Sequence, residues 1–326
     1  MFVINAEQQK NLSNMKEIID SVALSLKEYS AGNTETPIRI ALSAEKGNTL
    51  VMPSLAESLG SLGVKITTVY PENPKNGKKT INGIVLLLDV KTGEPLAILD
   101  GAYLTMVRTG ALSGVATQYL ARKDSTSLSI IGTGVQAEGL CDAVMAVRDI
   151  KQIKLYNRSF AKAENFSKQI TNKYPHVDVS IHDNPSEAVK NSDIIVTATS
   201  SKTPVLPNDI KLKKGVHING VGSFRPNMQE IPTEIISTAS KVVVEAKDAA
   251  LEETGDLQIP IKIGKFREDD IYGELGNIIS GKLPGRENDE EMTVFKSVGI
   301  ATADAVVANY IYERALESDY DIKIDL

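Results

Sequence analysis

The sequence is poor in cysteine and histidine, and it lacks an excess of positive charge. Its single cysteine permits no internal disulfide and suits a reducing cytoplasm. Its three histidines, His176, His182 and His217, are not spaced as metal ligands, so we expect no metal site. The net charge of −6 argues against the general basic face that nucleic-acid binding needs.

Long hydrophobic runs are also missing. The longest apolar run, IVLLL at residues 84–88, is far too short to span a bilayer. The opening MFVINAEQQKNL lacks a basic segment followed by an apolar one, so we expect no signal peptide. These absences predict a cytoplasmic protein that binds neither membranes nor nucleic acids.

The first 100 residues or so read as a β-rich α+β unit. An amphipathic helix, NMKEIIDSVALSLKEYSAG, ends at Gly32. Extended runs such as IRIAL, VKITTVY and INGIVLLLD follow, separated by Pro/Asn/Gly turns. A second helix then occupies DGAYLTMVRTGALSGVATQYLAR, with Asp100 as a candidate N-cap.

The second part of the chain, about residues 125–250, alternates strands and helices. Helices are expected to begin near Gln136, Ser159 and Pro185, between strands such as LSIIG, IKLYN and DIIVTAT. This alternation predicts an α/β fold with a Rossmann-type, doubly wound parallel sheet. A loop-rich stretch follows, and then a long C-terminal helix, which we expect to pack back onto the first block.

A glycine-rich turn opens the alternating block. SIIGTGVQAEGL places Gly132, Gly134 and the small Ala137 directly after an apolar strand and before a helix. The first glycine allows the tight turn, and the second lets the backbone approach a pyrophosphate. The helix N-terminus then faces the phosphates, so this segment predicts a dinucleotide site.

The end of the next strand should select the cofactor. An acidic residue there would bind the ribose hydroxyls of NAD, but this chain has Asn157, Arg158 and Ser159. No carboxylate repels a 2′-phosphate, and Arg158 can pair with one. We therefore favour NADP(H). The alternative is NAD(H) bound through Asn157, with Arg158 a solvated surface residue.

Five segments resemble motifs of the ornithine cyclodeaminase/mu-crystallin family: LDGAYLTMVRTGALSGVATQYLAR, IGTGVQA, GSFRPNMQE, ELGNIISGKLPGR and TVFKSVGIA. The resemblance runs from about residue 37 to residue 305. It implies a Rossmann NAD(P)-binding domain at residues 121–299. It also implies an α+β substrate-binding and dimerisation domain formed from both chain ends, residues 1–120 and 300–326. Family members exchange hydride between a nicotinamide and a carbon that bears an amine or imine.

Three basic residues are candidates for the substrate site. Arg39 and Lys65 alternate with apolar neighbours in their strands, and Arg108 lies on the helix that follows the β-rich block. From the residues alone each is either a surface cation or a substrate contact: the arginines would hold a carboxylate and Lys65 would deliver a proton. The resemblance favours the second interpretation, with Lys65 and Arg108 catalytic, and adds Thr80 to the substrate site.

The resemblance also implies the residues that approach the cofactor and the nicotinamide. Val298 is expected to face the substrate, although plain core packing is the alternative for it. The expected cofactor contacts are Arg108, Thr109, Gly132, Gly134, Val135, Gln136, Asn157, Arg158, Ser159, Thr199, Val221 and Ser297.

The segment NGVGSFRPNMQE bears on the choice among the family's activities. In cyclodeaminases the resembling loop carries an aspartate where this chain has Phe224. Cyclisation of ornithine needs a proton acceptor, whereas reduction of an imine needs a hydride and one proton. The leading prediction is therefore an NAD(P)H-dependent reductase of a small 2-imino acid, such as pyrroline-2-carboxylate, giving L-proline.

Two other functions stay open. One is an ornithine cyclodeaminase, or a related amino-acid dehydrogenase, in which Glu230 or another carboxylate replaces the aspartate. The other is a crystallin-like protein that binds the nucleotide with little catalysis.

Overall fold

This computed structural model describes residues 1–208, 210–318 and 324. The strands are β1 (Phe2–Ile4), β2 (Ile40–Ala44), β3 (Gly47–Ala56), β4 (Ser61–Val69), β5 (Ile81–Leu88), β6 (Pro95–Asp100), β7 (Ser127–Ile131), β8 (Gln152–Tyr156), β9 (Asp178–Ile181), β10 (Ile194–Thr197), β11 (His217–Gly220), β12 (Lys241–Val244), β13 (Gly273–Glu274) and β14 (Thr293–Lys296). The α-helices are α1 (Ala6–Leu12), α2 (Met15–Ser30), α3 (Gly101–Leu120), α4 (Gln136–Val147), α5 (Phe160–Lys173), α6 (Pro185–Val189), α7 (Thr233–Thr238), α8 (Lys247–Glu253), α9 (Gly255–Lys262), α10 (Leu275–Ile279) and α11 (Ala301–Leu316). Within the described ranges, none of these helices combines the length and apolar character needed to cross a membrane.

The chain divides into two compact units. The first holds residues 1–108 and 299–326, and the second holds residues 109–298. Helix α3 passes through the boundary, and Asp100 caps it by accepting a hydrogen bond from the Tyr103 N–H at 2.8 Å. The functional domains with boundaries at residues 120 and 300 stay a prediction.

The first unit contains a six-stranded sheet in the order β1-β6-β5-β4-β3-β2. The β1–β6 pair is parallel, and the other pairs are antiparallel. Helix α11 packs on β3, β4 and β5 and also contacts α2. Its buried face is rich in alanine, and a Cβ added at Gly63 of β4 would lie only 3.2 Å from the Ala305 Cβ, so helix and sheet approach closely.

The second unit contains an eight-stranded, all-parallel sheet in the order β13-β12-β14-β11-β10-β7-β8-β9. Residues of α4 and α5 pack in one apolar core, and residues of α6, α7, α8 and α9 pack in another. Along β7, Leu128 and Ile130 join the first core and Ile131 joins the second, as alternation along a strand requires. Helices therefore cover both faces, and the predicted doubly wound fold is confirmed.

The strand order reverses between β7 and β10. In open α/β sheets, ligands bind at the carboxyl ends of the strands at such a switch point. The glycine-rich turn follows β7, and Thr199 follows β10. The topology therefore brings these two predicted cofactor segments to the same edge of the sheet.

Candidate active site

A buried ion cluster of Lys65, Arg108 and Asp304 lies within the first unit. Lys65 is in the middle of β4, and Asp304 is in the first turn of α11, which packs on that strand. The Lys65 Nζ lies 2.6 Å from the Asp304 Oδ2, and the Arg108 Nε lies 3.0 Å from the Asp304 Oδ1. All three side chains are at most 8% exposed. One carboxylate therefore joins two cations that are withdrawn from water.

The environment of Lys65 changes its acidity. Burial and the neighbouring Arg108 lower the pKa of Lys65 from 10.5 to about 8, with a smaller lowering from Arg39, while Asp304 opposes the change. A lysine of this pKa is largely protonated at neutral pH and gives up its proton more readily than an exposed lysine. It suits general-acid catalysis.

Arg39 shares this face of the sheet with Lys65. Continuing the β2–β3 register by one residue places Arg39 opposite Met52, which pairs with Lys65. Residues in such a row point to the same face, and two strand spacings separate Arg39 from Lys65 by about 10 Å. Arg39 and Lys65 therefore lie on the same face of the sheet, and their roles in substrate binding stay predictions.

Both arginines lie beside Gly299. The Arg39 Nη2 donates to the Gly299 carbonyl oxygen at 3.4 Å. Gly299 has a φ of +88°, and a Cβ at this position would lie 2.5 Å from the Arg108 Nη1. The backbone conformation therefore favours glycine here, and a side chain at this position would displace the Arg108 guanidinium.

Thr80 is not brought to this cluster. The Tyr70 N–H donates to the Thr80 carbonyl oxygen at 2.8 Å, which extends the β4–β5 pairing beyond Val69 and Ile81. Thr80 thus lies five positions along the strand from the partner of Lys65, about 17 Å away, and alternation turns it to the opposite face. Its role in substrate binding stays a prediction without geometric support in the first unit.

The glycine-rich turn of the second unit has the geometry of a nucleotide cradle. Gly132 has a φ of +99°, and a Cβ there would lie 2.7 Å from both the Ala198 carbonyl oxygen and the Thr199 Cγ2. A Cβ at Gly134 would meet no atom within 4 Å. One glycine therefore allows the turn to pack against the end of β10, and the other leaves open space for a ligand at the backbone.

The residues that begin α4 leave polar groups for a ligand. Val135 is the N-cap residue, is 76% exposed and provides no side-chain cap. The buried Thr133 Oγ1 and Gln136 Oε1 have no hydrogen-bond partner among the described residues. Buried polar atoms are normally paired, so these atoms and the uncapped helix fit a bound dinucleotide.

The turn after β8 lies next to this cradle. The Asn157 Oδ1 accepts from the Thr133 N–H at 3.2 Å, and the Asn157 Nδ2 donates to the Ser159 carbonyl oxygen at 3.0 Å. Arg158 is exposed and forms no ion pair with any described residue. Ser159 is the N-cap residue of α5, and its side chain makes no capping hydrogen bond. Asn157 thus joins two predicted cofactor segments and leaves Arg158 open to solvent.

Ser297 and Val298 are held at the end of β14 by Glu245. The Ser297 Oγ and the Val298 N–H donate to the Glu245 Oε1 at 3.1 and 2.6 Å. Val298 is buried, and Thr109 is a buried residue of α3. Val221 follows β11, where its N–H donates to the Thr197 carbonyl oxygen. The site roles of these four residues stay predictions.

The carboxylate of Glu230 anchors the loop that carries Phe224. It accepts from the backbone N–H groups of Thr199, Gly222 and Ser223 at 2.5, 2.6 and 3.2 Å and from the Thr197 Oγ1 at 3.1 Å. Burial raises the pKa of Glu230, and the Lys296 ammonium opposes this change. Four donors occupy the carboxylate, so Glu230 ties the ends of β10 and β11 together.

Sequence reasoning missed Asp304 and Glu245. Asp304 is the single carboxylate in GIATADAVVA, a segment of small and apolar residues. A lone charge in such a segment was the sequence feature that could have indicated a buried functional residue. Glu245 follows the apolar strand KVVV in the same way. No group of three or more His, Cys, Asp or Glu side chains in the described ranges is arranged to hold a metal ion.

Comparison with known proteins identifies relatives of the whole chain. The model of the ornithine cyclodeaminase/mu-crystallin family matches residues 2–319. A Delta(1)-pyrroline-2-carboxylate reductase of Bacillus thuringiensis subsp. konkukian is 58% identical over 327 residues, covering 100% of both chains. The Thermococcus litoralis Delta(1)-pyrroline-2-carboxylate reductase, solved in complex with NADH and L-proline, has a TM-score of 0.92 at 39% identity, covering 97% of this chain and 98% of that one. An archaeal alanine dehydrogenase dimer with bound NAD has a TM-score of 0.92 at 33% identity, covering 100% and 99%.

Proposed function

Because the chain belongs to the ornithine cyclodeaminase/mu-crystallin family, we propose that it is a nicotinamide-dependent imino-acid reductase that converts pyrroline-2-carboxylate to L-proline. The observation that carries this proposal is the 58% identity, over the full length of both chains, to a Delta(1)-pyrroline-2-carboxylate reductase. Three further Bacillus proteins of that name are 56–57% identical over 327 residues. The reductase branch that Phe224 indicates is the branch in which these relatives lie.

The first unit provides groups suited to a small imino acid. In the proposed reaction, Arg39 and Arg108 hold the substrate carboxylate, since a guanidinium matches a carboxylate with two parallel hydrogen bonds. Asp304 occupies the Arg108 Nε, so the terminal nitrogens beside Gly299 are oriented for this contact. Lys65 donates the proton that the ring nitrogen gains.

The second unit provides the groups that would hold the cofactor. The turn at Gly132 and Gly134 and the start of α4 would take the pyrophosphate. We expect Asn157, Arg158 and Ser159, which follow β8, to contact the adenosine ribose. A bound reduced nicotinamide supplies the hydride to the imine carbon. Glu230 and Glu245 fix the backbone on which Thr199, Ser297 and Val298 are carried.

The surroundings of Glu230 argue against the cyclodeaminase alternative. A cyclodeaminase needs a carboxylate that accepts protons from the substrate amine. Glu230 is 0% exposed and its oxygens accept four hydrogen bonds from the protein. It therefore does not replace the aspartate for which this chain has Phe224, whose ring instead lies 5.5 Å from the Arg225 guanidinium.

The proposed substrate can be tested by following oxidation of NADPH and NADH with a panel of compounds. The panel contains pyrroline-2-carboxylate, its six-membered homologue, and pyruvate with ammonia as the alanine dehydrogenase reaction. We expect the highest kcat/KM with pyrroline-2-carboxylate. Faster turnover of pyruvate and ammonia would assign the chain to the alanine dehydrogenases instead.

We propose that the enzyme prefers NADPH to NADH because Arg158 can pair with the 2′-phosphate. A charge-assisted hydrogen bond contributes about 1.5–3 kcal/mol, or roughly ten- to a hundred-fold in affinity. Calorimetric Kd values should therefore be lower for NADPH in the wild type, and Arg158→Ala should remove most of the difference without changing the Kd of NADH. Equal wild-type Kd values for the two nucleotides would refute this preference.

We also propose that the first unit forms a homodimer through the uncovered face of its sheet. Ile40, Ile66 and Ile84 lie in one cross-strand row on the face opposite Lys65 and are 36–54% exposed, and Leu42 beside them is 58% exposed. Such apolar surface usually marks an interface. Leu42→Asp should halve the mass seen by sedimentation velocity, whereas Leu24→Asp, at an exposed leucine of α2, should not. A wild-type monomer would contradict the proposal.

A further inference from the structure

We propose, building on the reductase function, that Asp304 is a positioning residue that holds Lys65 and Arg108 in place and keeps Lys65 protonated for proton transfer. Asp304 does not need to contact the substrate for this role. Its carboxylate lies between the two cations that do.

Each carboxylate oxygen of Asp304 contacts one of the two cations. Oδ2 lies 2.6 Å from the Lys65 Nζ, and Oδ1 lies 3.0 Å from the Arg108 Nε. A side-on contact at Nε leaves the two terminal nitrogens of Arg108 for a second carboxylate. Asp304 thus orients the guanidinium without competing for the nitrogens that face Gly299.

The charges around Lys65 explain why a carboxylate is needed. The charged groups that act on it are Arg108 from α3, Arg39 before β2 and Asp304 from α11. Its partners across the sheet, Met52 and Val85, are apolar. Burial and both arginines disfavour the ammonium form, and Asp304 is the described residue that favours it. Without Asp304, Lys65 would lose its proton at a lower pH.

The test is Asp304→Asn, which preserves the side-chain shape and removes the charge. With pyrroline-2-carboxylate and NADPH, the alkaline limb of the kcat/KM profile should move down by about one pH unit or more. At pH 8 the variant should be at least about fivefold slower than the wild type, and near pH 6 most of this deficit should disappear. The matched control is Asp193→Asn, because Asp193 is also a buried carboxylate bound to two cations, Arg122 and Lys213. It should lower Tm but leave the limb in place.

A second measurement needs no substrate and so tests Asp304 even if the chain proves not to be a reductase. In the Asp304→Asn background two buried cations lack their counter-charge. Adding Lys65→Met should then raise Tm by about 2 °C or more, although Lys65→Met in the wild type should lower it. An unmoved alkaline limb, or a Tm that falls further in the double variant, would overturn the proposal.

Discussion

Arg108→Ala should lower kcat/KM for pyrroline-2-carboxylate by about 30- to 5,000-fold. Losing one partner of a buried charged contact costs about 2–5 kcal/mol. Arg108 is buried, and Asp304 orients it at Nε, so alanine removes the carboxylate contact and leaves Asp304 with Lys65 alone. Steady-state kinetics should show the loss mainly in KM if Arg108 only binds the substrate, and in kcat as well if it also orients the imine.

Two variants separate this loss from general destabilisation. Arg108→Lys should also be impaired, because an ammonium cannot reproduce the planar fork of a guanidinium. Arg122→Ala removes an arginine that is bound to the buried Asp193 and should lower Tm while retaining kcat/KM. Full activity in a folded Arg108→Ala protein would show that the substrate carboxylate is held elsewhere.

Lys65→Met should reduce kcat by about 100- to 10,000-fold, the usual contribution of a general acid. Methionine preserves the length and the packing of the stem but has no proton to donate. Because the pKa of Lys65 is about 8, the wild-type rate should fall as pH rises through that value and Lys65 becomes neutral. The variant should lack this alkaline limb, and pH–rate profiles of both proteins show the difference.

The control for Lys65→Met is Lys241→Met. Lys241 is another buried lysine, 5% exposed, whose partners are Glu287 and Glu291 in the second unit. This change should cost stability and leave the alkaline limb unchanged. A Lys65→Met enzyme that keeps its rate and its limb would assign the proton to water or to another group.

The features that follow local rules were predictable from the sequence. Asp100 caps α3, and α4 and α6 begin at Gln136 and Pro185 as expected, because caps, glycines and apolar periodicity act over a few residues. The alternation of strands and helices likewise determined the parallel sheet. Alternation also predicts that Arg39 and Lys65 each turn away from their apolar neighbours. That both lie on the same face follows from the strand register, which the sequence does not show.

The partners of those side chains were not predictable. Asp304 lies 239 residues from Lys65 in sequence, and only the packing of α11 on β4 brings them together. Periodicity indicates which face of a helix is buried but not which strand it meets. Thr80 is expected in the substrate site because of the motif resemblance alone. The strand register instead places Thr80 on the opposite face of the sheet from Lys65.

At the loop that carries Phe224, the sequence and the structure together bear on the choice between a reductase and a cyclodeaminase. The sequence indicates that the proton-accepting aspartate is absent, but it leaves Glu230 as a candidate replacement. The hydrogen bonds show that Glu230 is fully used in joining β10 and β11. With Glu230 committed to these contacts, we expect the site to deliver one proton to an imine that also receives a hydride, as proposed above.

The most direct test of this account is a pair of time courses on the wild-type enzyme, followed by mass spectrometry. In one, pyrroline-2-carboxylate is incubated with NADPH, and we expect one L-proline for each NADPH oxidised. In the other, L-ornithine is incubated with catalytic NADP⁺ or NAD⁺, and we expect neither ammonia nor proline. Stoichiometric ammonia and proline from ornithine, at about one turnover per second or more, would contradict the account and show that cyclodeaminase chemistry proceeds with Phe224 in place of the aspartate.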